Sequence, residues 1–403
     1  MNLVSETYNS NPQFSFVDQF KLSLDRVYLD DFNQTYEKLF KSYRLQKIEI
    51  EQLEMEINLN LDRIFKNFDD QIPEDLDYKD YLIEYLSVLK KMLFESIKSN
   101  INILYYDSYK FNKNNFDNNY NKFLEDKYTF KILDIEIKNK ILDICNSKIN
   151  YFNKLSQTKV CSRDELSVNG GILIKRVIYL LNKNFNSNGT NDLISKYMNT
   201  EYEVTGCALE LSPSNSNWWI GYGVGSEKTK YAHIDNSPIY PKAICYLTNV
   251  SFDNGPTSFF PKIYDELNIN HLQDLIGRNI PLIGDYKNTK YIKNIIRNNN
   301  NFFEDKIVRK IFMTLPSELL FNSHIGWDIN LDSELESKFL KSEKKFIAKS
   351  GSYVVFDGAR LFHRGGMVKS DFRVALQIVF GKKLSKLSKL KNIINNVSKK
   401  FFI

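Results

Sequence analysis

The chain has 403 residues, of which 42% are hydrophobic and 26% charged, a composition typical of a soluble protein with a sizeable core. Its formal net charge is +6, but the tail Lys382–Ile403 contains seven lysines and no acid. The remaining residues carry 48 basic and 49 acidic side chains, so the body is nearly neutral. A neutral body argues against a nucleic-acid-binding surface, and we expect no nucleic-acid partner.

The cysteines and the N-terminus indicate the compartment. The four cysteines, Cys145, Cys161, Cys207 and Cys245, are scattered without a Cys-x-x-Cys pair, as expected for free thiols in a reducing cytosol. The first residues lack a basic and then apolar signal pattern, and no apolar run approaches about 18 residues. We therefore expect a cytoplasmic protein without a membrane span.

Residues 1–119 are predicted to form a helical N-terminal region. From Tyr36 to Phe68 the apolar residues alternate three and four apart, which predicts one long helix. This helix could dimerise as a coiled coil or pack within a helical bundle, and the short run favours the bundle. A second helix is predicted from Pro73 to about Tyr105, forming an antiparallel hairpin with the first. The Asn-rich stretch 107–122 reads as a linker.

A second domain is predicted for residues 120–381. Its opening pattern is a strand at Tyr128–Leu133, helices beginning at Asp134 and Gly171, and a strand at Val204–Leu211. The aromatic pair Trp218–Trp219 follows in a glycine-rich segment that would wall the site or pack in the core. Residues 262–348 form a predicted helical insertion, with helices at Tyr264–Ile276, Lys290–Arg297 and Glu304–Thr314. We expect this insertion, with the loop His324–Trp327, to shape substrate choice.

The chemistry is concentrated in the segment from Tyr231 to Pro238, which contains His233 and Asp235. On a β-strand these two side chains would lie on the same face, because residues two apart point the same way. Two histidines and one carboxylate on one face of an octahedron mark a non-haem Fe(II) oxygenase, so a second histidine is needed. The chain contains only four histidines.

His363 is the best candidate for the second histidine. It follows a predicted buried strand and the Asp357–Gly358 turn. Arg373 comes ten residues later in another apolar strand, where a buried cation requires an anionic partner. His324 has no such arginine after it, and His271 lies in a predicted helix.

The order His-x-Asp, distal His and strand-borne Arg resembles the Fe(II)/2-oxoglutarate-dependent dioxygenases. The resemblance covers about residues 120–381. It implies that His233, Asp235 and His363 bind iron and act as the catalytic centre, and that Arg373 binds the distal carboxylate of 2-oxoglutarate. It also implies an α+β fold with a double-stranded β-helix (jelly-roll, cupin-like) core, flanking helices and, here, a preceding helical region.

Two segments resemble the phytanoyl-CoA dioxygenase branch of this superfamily: Lys242–Val250 and Asn254–Pro261. In that branch a strand follows the His-x-Asp, and a Gly-Pro turn leads into a proline-containing loop. The usual Pro-Gly-Ser-His is replaced here by Pro261-Lys-Ile-Tyr, and the spacing of ten between His363 and Arg373 is one residue short of the branch's common spacing. The resemblance is therefore stronger to the superfamily than to the branch.

The implied activity is hydroxylation of a C–H bond in a small organic substrate, with Fe(II), 2-oxoglutarate and O2 consumed and succinate and CO2 released. Asp235 favours hydroxylation over halogenation, because related halogenases carry a small residue at that position. The alternatives are desaturation, epimerisation or ring closure by the same metal, a non-catalytic barrel that binds a ligand, and an assembly protein whose working part is the N-terminal helices.

The tail Lys382–Ile403 alternates leucines and other apolar residues with lysines in a helical pattern. A basic amphipathic helix of this kind can contact an anionic membrane surface. It can also dock on its own protein with the lysines reaching solvent, and the ordinary spacing favours this second interpretation.

Overall fold

The computed structural model describes residues 3–10, 19–41, 47–104, 118–215, 228–280 and 306–383. Several sequence predictions lie outside these residues. They are the Trp218–Trp219 segment, the helix expected at Lys290–Arg297, the tail beyond Lys383 and most of the Asn-rich linker.

The described N-terminal helices are α1 (Leu3–Ser10), α2 (Arg26–Lys41), α3 (Lys47–Asp69) and α4 (Lys79–Leu104). Helices α2 and α3 lie side by side, so the single helix predicted from Tyr36 to Phe68 is wrong. The apolar spacing misled because each helix has its own buried stripe with the same period. Helix α4 begins later than Pro73 because the residues after that proline form turns.

The barrel strands are β1 (Tyr128–Ile132), β2 (Ser167–Val168), β3 (Tyr202–Pro213), β4 (Lys242–Tyr246), β5 (Ser258–Phe260), β6 (Lys344–Lys345), β7 (Ser352–Phe356), β8 (Phe362–Arg364) and β9 (Phe372–Lys382). They form two sheets, in the orders β1-β7-β4-β9-β3-β2 and β6-β5-β8, with every pair antiparallel. Apolar residues of both sheets meet in one interior cluster, where Tyr246 and Phe356 share a core with Phe259. The predicted α+β class with a double-stranded β-helix core is confirmed.

Helices cover the outer face of the six-stranded sheet. They are α5 (Asn118–Asp126), α6 (Ile135–Thr158), α7 (Gly171–Ser187) and α8 (Thr190–Tyr197). Helix α6 begins where the sequence predicts, because the Asp134 side chain accepts a hydrogen bond from the Glu136 amide (2.9 Å) and caps the helix. This layer shares an apolar core with the sheet that includes Val177, Leu209 and Leu376.

The side chains of strand β9 alternate between the two faces of the six-stranded sheet. Val374, Leu376 and Ile378 belong to the core under the helices, whereas Ala375 belongs to the cluster between the sheets. Arg373 has the same parity as Ala375, so its side chain lies on the interior face of the barrel. The strand that the sequence predicted for Arg373 is therefore present and points it inward.

The described insertion consists of α9 (Ile263–Glu266), α10 (His271–Arg278), α11 (Lys306–Thr314), α12 (Glu334–Ser342) and short 3-10 helices at Ser317–Leu319 and Ile325–Trp327. The single helix predicted for Tyr264–Ile276 is wrong. Asn268 adopts a left-handed conformation (φ +47°) that ends α9, and Asn270 starts α10 by accepting from the Gln273 amide at 2.8 Å.

The insertion and the N-terminal helices form one apolar core. Phe32 and Leu89 belong to the same buried cluster as Leu272, Ile311 and Trp327. Within the described residues, no helix is both long and apolar enough to cross a bilayer. The division of the chain at residue 119 and a dimer through the N-terminal helices stay predictions.

Candidate metal centre

The three predicted ligands converge at the junction of the small sheet and the His-x-Asp segment. His233 and His363 exchange backbone hydrogen bonds (3.0 and 2.9 Å) as an isolated antiparallel bridge. The Asp235 amide donates to the carbonyl of Gly358 at 2.7 Å, in the turn that precedes β8. As a result, ligand atoms of His233, Asp235 and His363 all lie within 4.8 Å of one another.

The His-x-Asp segment contributes an isolated bridge and not a regular strand, which the alternation argument assumed. It pairs with the insertion on its second side: the Ile234 amide donates to the Ser323 carbonyl at 2.9 Å, and the Gly326 amide to the Ala232 carbonyl at 3.0 Å. The alternation nevertheless holds, because Ala232 and Ile234 are fully buried while His233 faces the other way.

Both histidines present the same ring nitrogen to the centre. The Nδ1 of His233 lies 2.7 Å from the Tyr231 carbonyl, and that of His363 lies 3.0 Å from the Leu361 carbonyl. Because a carbonyl only accepts, Nδ1 carries the proton in each ring and Nε2 keeps its lone pair for a metal. Burial lowers the pKa of both rings, that of His363 to about 3 with the help of the neighbouring His233, so both imidazoles are neutral near pH 7.

Asp235 supplies the negative charge. Burial alone would raise its pKa, but the Lys242 ammonium and the two histidines hold the pKa below the usual range. Lys242 donates to Oδ1 at 2.5 Å, whereas the buried Oδ2 has no hydrogen-bond partner among the described residues. A Cβ at Gly358 would lie 1.8 Å from this Oδ2, so only glycine leaves room for the carboxylate.

These donors fit a divalent first-row metal. Two neutral imidazoles and one ionised carboxylate form the ligand set of non-haem Fe(II) sites, which leave further positions open. A buried carboxylate oxygen without a partner is costly in a folded protein unless an absent group satisfies it. The residues present therefore match the metal that the sequence motif implies.

Arg373 provides a second unsatisfied group in the barrel. It is 8% exposed, and its Nη2 contacts the Ser212 hydroxyl at 3.3 Å. Its Nη1 is buried and has no partner in the part of the chain that the structure describes. Burial lowers the pKa of this guanidinium, although Tyr246 and Glu210 act against burial. Within the described residues no carboxylate forms an ion pair with it. An incoming anion would satisfy it.

The sequence predicts that the loop His324–Trp327 shapes substrate choice, but it does not predict that His324 contacts His233 or that Lys242 contacts Asp235. The His324 ring stacks on His233, with centroids 4.9 Å apart and an interplanar angle of 10°, and lies 5.3 Å from Trp327. Lys242 reaches Asp235 from the start of β4. Neither contact has a sequence signal, because the two residues in each contact lie in different elements and share no helical or strand periodicity. His271 lies away from the centre, against Tyr36.

Comparisons with known proteins yield distant structural similarity only. No protein-family model and no curated protein matches the sequence. EctD from S. alaskensis is 11% identical, with a TM-score of 0.38 over 69% of this chain and 82% of that chain. The α-ketoglutarate-dependent carbocyclase SnoK from nogalamycin biosynthesis is 12% identical, with a TM-score of 0.35 over 67% and 85%. HygX from Streptomyces hygroscopicus, solved with nickel and 2-oxoglutarate, is 10% identical, with a TM-score of 0.31 over 67% and 88%. Values this low decide nothing about function, so the chain's own geometry must do so.

Proposed function

We propose that this protein is an Fe(II)- and 2-oxoglutarate-dependent oxygenase of the dioxygenase superfamily that hydroxylates a C–H bond of a small organic substrate. The observation that supports it most is the convergence of His233, Asp235 and His363, with both Nε2 atoms available and a buried carboxylate oxygen unsatisfied. The buried Nη1 of Arg373 on β9, which has no partner among the described residues, is a second and independent feature that suits a 2-oxoglutarate carboxylate.

The chain's residues have separable roles in this proposal. His233, Asp235 and His363 would hold the iron, which when bound supplies O2 activation at the cost of one 2-oxoglutarate, released as succinate and CO2. Arg373 would pair with the distal carboxylate of 2-oxoglutarate, because a guanidinium fork matches a carboxylate. Lys242 holds one oxygen of Asp235 and so fixes the orientation of the carboxylate.

Substrate choice is assigned to the insertion. Its loop runs beside the His-x-Asp segment through two backbone hydrogen bonds, and His324 covers one face of His233. This contact supports the expectation that the insertion forms one wall of the substrate site. Asp235 favours hydroxylation over halide transfer, since the carboxylate occupies the position that a halide would need.

The expectations on location and partners complete the proposal. All four cysteines are free and buried, which fits a reducing cytoplasm. The partner expected is a small-molecule substrate, without nucleic acid. Weak membrane contact through the tail and dimerisation through the N-terminal helices remain secondary proposals.

The test is 2-oxoglutarate turnover by protein purified without oxygen, then supplied with Fe(II), 2-oxoglutarate and air. We expect substrate-independent succinate formation that disappears in His233→Ala, weakens in Arg373→Ala and persists in the matched control His271→Ala. If wild type forms no succinate and binds neither Fe(II) nor 2-oxoglutarate, the proposal is overturned in favour of a non-catalytic barrel.

A further inference from the structure

A single arginine of the insertion connects the two backbone segments that carry the proposed ligands. Arg278 ends helix α10, and its side chain is only 3% exposed. Its Nη1 donates to the carbonyl of Asp235, and its Nη2 donates to the carbonyl of Ala359 at 2.5 Å. Its Nε donates to the Asp274 carboxylate at 2.8 Å.

The two carbonyls belong to the two different backbone segments that carry the proposed ligands. Asp235 is a proposed ligand, and Ala359 lies in the turn that leads from β7 into β8, where His363 stands. In the same turn, the Gly358 carbonyl accepts a hydrogen bond from the Asp235 amide. A guanidinium is planar, and its two Nη atoms are held at a fixed separation. Two carbonyls bound to it are therefore also held at a fixed separation.

Helix α10 is itself held firmly, so Arg278 acts from a rigid base. The Gln273 side chain donates to the Leu320 carbonyl at 3.0 Å, and the Ser323 amide donates to the Gly277 carbonyl at 3.0 Å. A Cβ on Gly277 would lie 2.3 Å from the Phe321 ring, so the helix and the following loop are in close contact. Displacing α10 would require moving the loop that also pairs with the His-x-Asp segment.

The charges around Arg278 explain why this cation stays in the interior. Asp274, on the same helix, neutralises it, and each carbonyl accepts one N–H group, that of Asp235 from Nη1 and that of Ala359 from Nη2. Burial alone would lower the pKa of Arg278, but Asp274 and Tyr264 outweigh burial and raise it. Asp274 makes no contact with the triad among the described hydrogen bonds.

We propose that Arg278 is a positioning residue that sets the distance between the carboxylate and the distal histidine of the metal centre. This inference rests on the proposed function. It makes the insertion part of the metal site, because the guanidinium that orients the ligands comes from α10 and not from the barrel. Lysine cannot replace it, because a single ammonium cannot span both carbonyls in the same geometry.

The test uses Co(II) as the metal probe on the full chain, comparing wild type with Arg278→Lys and with Arg176→Lys, the same change at an exposed position of α7. Residues that orient metal ligands typically change affinity about 10- to 100-fold. We expect Arg278→Lys to weaken Co(II) binding by that factor and to alter the visible absorption spectrum of bound Co(II). Arg176→Lys should keep the wild-type affinity and spectrum, and the unfolding temperatures show whether Arg278→Lys is folded.

The outcomes separate the inference from the function on which it rests. Wild-type Co(II) affinity and spectrum in folded Arg278→Lys would overturn the role of Arg278 and leave the proposed function standing. Failure of wild type to bind Co(II) would overturn both. If Arg278→Lys does not fold, hydrogen exchange of the wild type replaces it. Bound Co(II) must then slow hydrogen exchange at the backbone amides of α10 more than at those of α4. Equal exchange rates in α10 with and without Co(II) would overturn the inference.

Discussion

The proposed metal centre has two walls that are built in different ways. The barrel wall, consisting of β8 and β9, positions His363 and Arg373 through regular strand pairing. The insertion wall, consisting of α10 and the loop 320–327, reaches the same centre through single contacts from Arg278, Ser323 and His324. In this protein the barrel wall carries His363 and Arg373, and the insertion helps to fix where the His-x-Asp segment stands beside them.

The largest loss of metal affinity is expected from a substitution at Gly358, in the turn before β8, where the backbone contacts the Asp235 carboxylate. In Gly358→Ala the new methyl group would occupy the space of the Asp235 Oδ2, since the Cβ position lies 1.8 Å from that atom. We expect Fe(II) affinity to fall by at least about 100-fold, the upper end for disturbed ligand orientation. Gly170→Ala is the matched control, because a Cβ there meets nothing within 4 Å. Equal Fe(II) affinities in titrations of the two variants would contradict the geometry.

The next largest effect is expected at Arg373, where substitution should weaken 2-oxoglutarate binding without lowering the stability of the fold. Hydrogen bonds to charged groups contribute about 1.5–3 kcal/mol, so Arg373→Met should weaken 2-oxoglutarate binding about 10- to 100-fold. The same variant should unfold at an equal or higher temperature, because it removes a buried cation with an unsatisfied nitrogen. Calorimetric binding of 2-oxoglutarate and thermal unfolding measure both. A variant that unfolds much earlier would indicate that Arg373 is structural.

A pH effect is expected on the insertion side. Burial raises the pKa of Asp328 to about 6, although Arg309 and the hydrogen bonds from Asn322 and Tyr8 act against burial. The folded state then binds this proton more tightly than the unfolded state, whose pKa is near the ordinary 3.8. Stability is therefore fully present below about pH 4 and is lost as the pH rises through 6, by roughly 3 kcal/mol.

The measurement is the free energy of unfolding in urea between pH 4 and 7, for wild type and Asp328→Asn. The difference between the two proteins isolates the titration of Asp328 from that of other carboxyl groups. Wild type should lose stability relative to the variant as the pH rises. Parallel pH curves would show that Asp328 titrates alike in both states.

The smallest effect on the metal is expected from His324. Ring stacking contributes about 0.5–1.5 kcal/mol, so His324→Ala should change Fe(II) affinity by no more than about tenfold. The insertion wall is assigned to substrate, so the ratio of substrate oxidised to succinate formed should fall further than the metal affinity. Loss of Fe(II) binding as complete as in His233→Ala would instead make His324 a ligand.

The two walls also differ in what the sequence reveals. Alternation along the strands accounts for β8, β9 and the inward side chain of Arg373. The His-x-Asp motif with a distal histidine accounts for the convergence of the triad. The helix predicted from Tyr36 failed because one apolar period spans two separate helices. The contacts of Arg278 and His324 with the centre could not be predicted, because they depend on how α10 and its loop pack and not on any local pattern.

The most direct test of the central claim is an anaerobic Fe(II) titration in the presence of 2-oxoglutarate, followed by visible absorption. Chelation of an Fe(II) centre by a 2-oxo acid produces a charge-transfer band, and neither component produces it alone. If His233, Asp235 and His363 form the centre, the band saturates at one iron per chain and is absent in His363→Ala. A wild-type protein that binds 2-oxoglutarate and Fe(II) without the band, or a band that persists in His363→Ala, would contradict the assignment.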